Sequence, residues 1–230
     1  MTSFRSHHRH TFSNGVVVER LPLGFAAGRW WASFVFAVPG WEGREPPVDW
    51  VAMGRSAWIQ DPDGLLDCVG GSGGGSEREY AHTWELVDHG ASRARVSYLE
   101  DGEEVGSELL TLDPSDRTGC FAVGLADGSL VERLPVGHAH GAWRVQWVRS
   151  QVPPAEVEGD DEGFDMPDER FVRVRSAAGP VGRVGASGSI GGVIQPFGVE
   201  VPDRLAPLEV DYLLENQLVA TEVLPLPGLQ

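Results

Sequence analysis

Two stretches of this chain are near copies of each other. Asn14 to Trp30 reads NGVVVERLPLGFAAGRW and Asp127 to Trp143 reads DGSLVERLPVGHAHGAW, an offset of 113 with ten of 17 positions identical. Unrelated segments of ordinary composition would share roughly one. Glu19/Glu132, Arg20/Arg133, Pro22/Pro135, Gly28/Gly141 and Trp30/Trp143 are among the identities. A second pair, Val96 to Leu112 and Val210 to Leu226, keeps seven of 17 positions at an offset of 114, including Tyr98/Tyr212, Val105/Val219 and Glu108/Glu222. A chain with such self-similarity folds as repeated units. The copies span 14–113 and 127–227, which leaves 1–13 as a flexible N-terminus and 114–126 as a linker.

Each copy is written in strand grammar. It opens after Asn14-Gly15 or Asp127-Gly128, a turn signal. An apolar strand follows and is stopped by Pro22 or Pro135, because proline cannot donate to a ladder. Trp143, Val145 and Trp147 alternate with Arg144 and Gln146, the pattern of a strand with one wet face. Trp30 to Val38 is apolar on both sides, which places that strand centrally, where the copies pack together. Each copy closes with a hairpin, around Glu100-Asp101-Gly102 or Glu215-Asn216. Gly-rich runs at 69–76 and 185–192 read as loops, and no segment carries a capped 3.6-residue stripe. The expected fold is all-β: two tandem, internally duplicated antiparallel β-sandwich units packed together.

Thirty-four acids against 18 bases give a net charge of -16. That surface repels phosphate backbones and anionic lipid, so neither nucleic acid nor membrane is an expected partner. It attracts a basic protein. Cys68 and Cys120 are too few and too isolated for a disulfide framework, and Met1 to His10 is polar rather than a leader; both observations point to the cytoplasm. Nucleophile-elbow, zinc-protease, phosphate-loop and dinucleotide motifs are missing. The expectation is therefore a binding protein without cofactor or catalytic residues, not an enzyme.

The densest charge is EVEGDDEGFDMPDE at 156–169, present in the second copy only. The first copy has Trp41 to Asp49 in its place. Glu156, Glu158, Asp160, Asp161, Glu162, Asp165, Asp168 and Glu169 supply the charge, with Phe164 and Met166 as apolar anchors. This is the candidate partner-binding loop. Its spacing does not match a calcium loop. His7, His8 and His10 near the start, and His138 with His140 in the second copy, lack the further ligands a metal site needs, so none is expected. Trp41, Trp50, Trp58 and Trp84 form a candidate sugar platform, with core packing as the competing use.

Leu134-Pro135-Val136-Gly137 leading to Trp143-Arg144-Val145, followed after the acidic run by Pro167-Asp168-Glu169-Arg170-Phe171, resembles a pattern in small actinobacterial β-sandwich proteins similar to the competence-locus nuclease inhibitor. Trp143 stands where that pattern has Tyr. The resemblance implies an acidic inhibitor or immunity-type protein that blocks a basic nuclease or toxin. Two alternatives come from the residues themselves: an assembly subunit of a bacterial multi-component or phage-like machine, and a carbohydrate-binding module.

Overall fold

Asn14-Gly15 and Asp127-Gly128 are hairpin tips, and a hairpin needs a strand on both sides of its turn. In the computed structural model the strands before those tips are present. The structure describes residues 8–226 apart from 44, 46, 62, 76–77, 117–118, 152–170, 177–180, 185–188, 191–192 and 203–206. Strand β1 (His8–Thr11) pairs with β2 (Val17–Arg20), and β10 (Phe121–Gly124) pairs with β11 (Ser129–Arg133). This corrects the expectation of a flexible terminus through residue 13 and of a plain linker over 114–126. The short polar-aromatic run HRHTF hides its strand character until Tyr98 is in place: the rings of His8 and His10 stack on it at 5.3 and 4.9 Å.

Each unit lays a large antiparallel sheet against a three-stranded one. In the first unit β1, β2, β4 (Arg29–Ala37), β7 (Glu79–Asp88) and β6 (Leu66–Gly75) lie in that order, with β3 (Gly24–Ala26) folded back on β4. Strands β5 (Ala57–Gln60), β8 (Arg93–Glu100) and β9 (Glu103–Thr111) form its small sheet. The second unit repeats the plan. Its large sheet runs β10, β11, β13 (Ala142–Gln151), β17 (Val193–Pro202), β15 (Gly182–Val184). Strand β12 (Gly137–Ala139) pairs with β13, and β16 (Ser189–Ile190) with β17. Its small sheet is β14 (Val172–Ser176), β18 (Leu208–Leu214) and β19 (Gln217–Leu224). The duplicated all-β sandwich expected from the repeat is the architecture observed.

Period-2 alternation fills one core per unit. Trp30, Ala32, Phe34 and Phe36 of β4 face Val96 and Tyr98 of β8 in the first. Trp143, Val145 and Trp147 of β13 face Val210 and Tyr212 of β18 in the second. The repeated Arg, Tyr and Glu then staple the two sheets of each sandwich. Arg20 reaches Glu108 at 2.6 Å and donates to the Leu21 carbonyl, and Tyr98 Oη donates to Glu108 at 2.9 Å. Arg133, Glu222, Tyr212 and the Leu134 carbonyl repeat the arrangement. Burial, with the neighbouring carboxylate, pushes both tyrosine hydroxyls far above their ordinary pKa. Each stays a donor, and the buried glutamate keeps its partners.

The closing hairpins use left-handed turns, with φ of 50° and 84° at Asp101-Gly102 and of 49° and 66° at Glu215-Asn216. The glycine run at 69–76, expected as a loop, belongs mostly to β6. Its glycines leave room for rings from β7: a Cβ on Gly71 would lie 3.0 Å from His82 and 3.1 Å from Trp84. One short helix was not foreseen. Helix α1 (Trp50–Gly54) is a single turn capped by Asp49, whose carboxylate accepts from the Val51 and Ala52 amides.

Candidate functional site at the seam between the units

Strand β4 is apolar on both sides because its second face meets the other unit. The same is true of β13, so Arg144 and Gln146 face protein rather than water, which corrects the wet-face reading. Ser33 of β4 and Gln146 of β13 are counterparts in the repeat and are hydrogen-bonded at 2.9 Å. A residue that touches its own counterpart lies on a two-fold axis, so the units pack as an isologous pair within one chain.

The repeated LPxG segment builds this seam. Each copy's first glutamate accepts a hydrogen bond from the turn amide of the other copy: Glu19 from His140 at 2.6 Å, and Glu132 from Ala27 at 2.5 Å. Those turn residues have φ of 48° and 53°, so each carboxylate fixes a left-handed turn in its neighbour. Gly24 packs so closely on Leu134 that a Cβ would lie 2.8 Å from Cδ2, and Gly137 meets Leu21 Cδ2 at the same 2.8 Å. A side chain at either position would force the facing leucine and its neighbouring proline, Pro135 or Pro22, to shift.

Symmetry breaks at one pair of counterparts. On one side Trp31 is buried with Ala26, Leu134 and Val148. On the other, Leu21, Val35 and Ala139 pack together and Arg144 stands in the place of Trp31. Arg144 is 3% exposed and grips Glu79 of the first unit with two hydrogen bonds, at 2.9 and 2.8 Å, and Glu200 at 3.0 Å. Burial works against the charge of both carboxylates. At Glu79 the Arg144 guanidinium overcomes it and holds the carboxyl below its ordinary range. At Glu200 burial, reinforced by the neighbouring Glu79, prevails over Arg144 and pushes the carboxyl up.

Above this cluster the seam opens into a cleft of about 810 Å³ lined by Arg9, Glu19, Trp41, Glu79, His140 and Glu200, among others. His140 is tied down by Nε2 at 3.0 Å from the Val35 carbonyl. Of the two carboxyls that share Arg144, Glu200 is the one whose surroundings favour the protonated form. The sequence signal was there in part: Arg144 departs from the tryptophan that the repeat supplies at 31. Glu79 and Glu200 carry no signal of their own, since their meeting depends on how the units pack.

Glu156, Glu158, Asp160, Asp161, Glu162, Phe164, Asp165, Asp168 and Glu169, the expected partner-binding residues, all lie outside the described residues. The tryptophan platform is not assembled: Trp50 and Trp84 are buried in the first core, whereas Trp41 and Trp58 are partly exposed. Among the described residues no group of three or more metal-ligating side chains is found, and no helix is long and apolar enough to cross a membrane. No family model matches the chain, and neither does any curated protein. Among solved structures it is similar to a conserved domain protein from Bacillus anthracis. That similarity spans 96% of this chain and 93% of that one, with 12% identity and a TM-score of 0.27.

Proposed function

We propose that the chain is a non-catalytic, acidic protein-binding module of the cytoplasm that blocks a basic nuclease or toxin. One observation carries the reading. Most of what the two copies share is spent inside the molecule, on the sandwich staples and the seam, while the run of acids at 156–169 belongs to one copy only. Divergence after duplication thus added charge where the common structure did not need it. Cys68 and Cys120 are not joined in a disulfide, which agrees with a reducing compartment. Changing Glu158, Asp160, Asp161 and Glu162 to their amides tests the reading against the basic nuclease or toxin recovered with the protein from native cells. Association should slow by about tenfold and lose most of its salt dependence. An unchanged affinity and salt slope would sink the proposal.

A second reading, an assembly subunit, has its own support. Val105 and Val219 are counterparts, both 45% exposed, and Leu109 and Val223 beside them are similarly bare. These apolar positions are kept exposed on both outer strands. Light scattering decides this reading: self-association at micromolar concentration that a Leu109→Lys/Val223→Lys variant abolishes supports it, and a monomer opposes it.

A further inference from the structure

We propose that the open edge of β6 receives an extended, arginine-rich segment of a partner by strand addition. The inference rests on the reading that the partner is basic, and names where one of its segments binds.

Strand β6 ends its sheet: β7 pairs one side of it, and among the described residues no strand pairs the other. It is ten residues long, and its counterpart in the second unit is divided into β15 and β16. Sheet edges are ordinarily guarded by proline, lysine or inward charge. Residues 66–75 contain no proline, and the whole chain contains no lysine. The rings of β7 account for glycine at alternate positions such as 71 and 73, where a Cβ would collide with His82, Trp84 or Tyr80. Gly70 and Gly74 lie beside Glu85 and Ala81 of β7, on the face that alternation turns towards the seam. With so many glycines the strand has little side chain to shield the N–H and C=O groups of its edge, so another chain can approach that edge closely.

The surroundings define the occupant. Trp58 of β5 packs edge-to-face on Trp84 at 5.3 Å and is still 40% exposed, an open ring surface beside the glycine tract. At the start of the strand Asp67, paired with His89 at 3.1 Å, is 65% exposed, and Asp61 and Asp63 form the turn before it. An accessible indole face and carboxylates along a free edge complement guanidinium groups on an extended backbone.

The test titrates the full chain with a fluorescein-labelled decapeptide of alternating arginine and threonine, and with its glutamate-for-arginine twin. Hydrogen exchange is followed alongside. The arginine peptide should bind and the acidic twin should not, and binding should slow exchange at the amides of 69–75. Asp67→Arg should weaken binding by about tenfold and Trp58→Ala by about fivefold. Asp67 is a surface residue, so its variant keeps the test valid if the Trp58 variant folds poorly. Failure of the peptide to bind overturns the inference. So does binding that leaves exchange at 69–75 unchanged and both variants unaffected. In either case the basic-partner reading is judged separately, by the amide variants of 158–162.

Discussion

The two sides of the seam began as the same surface and now hold together by different physics. Around Trp31 the contact across the seam is apolar, a buried indole against Leu134 and Val148 with its Nε1 satisfied by the Ala26 carbonyl at 3.0 Å, while the buried Glu85 beside it is paired with Arg29 of its own unit. Around Arg144 it is ionic, with one buried guanidinium serving carboxylates from both units. A duplicated interface with tryptophan on both sides would bind its own kind as readily as its neighbour. The arginine changes that, because its best partner, Glu79, exists in the first unit only. A buried ion pair adds little net stability over a hydrophobic contact, yet it selects one pairing by making the alternatives leave a charge unmatched. The difference teaches that two faces related by the duplication are no longer equivalent: one is closed by an indole, the other by an ion pair.

The sharpest break in this comparison is removal of the arginine. Arg144→Ala strands Glu79 and Glu200 in a half-buried site and should cost about 4 kcal/mol in denaturant unfolding. Trp31→Ala should cost a similar amount through the cavity it leaves. The two losses differ in their remedy. Adding Glu79→Gln to Arg144→Ala should recover about 1 kcal/mol or more, since one unmatched charge goes with it. The same substitution added to Trp31→Ala should recover nothing. Equal behaviour of the two doubles would erase the distinction between the sides.

A second difference between the units is acid sensitivity. Among the described residues neither ring nitrogen of His82 of β7 has a hydrogen-bond partner, and burial, followed by the nearby Arg55, depresses its pKa to about 4. The unfolded chain therefore takes up this proton first. Stability is intact above pH 6.5 and falls as the pH drops through the window down to about 4. The loss should reach about 2 kcal/mol once the partial exposure of the ring is discounted. His82→Phe should flatten this window in a pH series of thermal unfolding curves. A series as steep as that of the unaltered chain would count against the assignment.

How much of this was legible beforehand follows from where the information lies. Strand type, turn positions and the central place of β4 are local or periodic properties, and Val16 to Val18, Asp101-Gly102 and Trp30 to Val38 state them outright. The strands before the first turns escaped because HRHTF acquires meaning only against Tyr98, and β6 because its side chains are supplied by β7. Helix α1 is too short for any periodicity. The seam was half visible: LPxG and its flanking Glu-Arg stood out as repeated, but repetition does not say that Glu19 binds the turn at 140 and not its own. Such reciprocity follows from a symmetry axis, which no single stretch of sequence encodes. The cleft carboxylates were hidden for the same reason.

The smallest expected effect examines what the two sides still share. Glu19 and Glu132 each accept one turn amide across the axis, at 2.6 and 2.5 Å. Glu19→Gln and Glu132→Gln keep an acceptor oxygen in place and remove only the charge assistance, so each should cost about 1 kcal/mol. The side that carries Arg144 has an additional charge nearby, Arg9 at 3.7 Å from Glu19, and the His140 ring at 3.9 Å. If those neighbours matter, Glu19→Gln will cost more than Glu132→Gln, and the excess will shrink in salt because Arg9 is largely exposed. Equal costs at low and high salt would show that the backbone contact alone, inherited unchanged from before the duplication, sets the strength of each clasp. A marked excess at Glu132 would be the reverse of what the ionic side requires, and would mean that the apolar side depends more on its carboxylate than its buried tryptophan suggests.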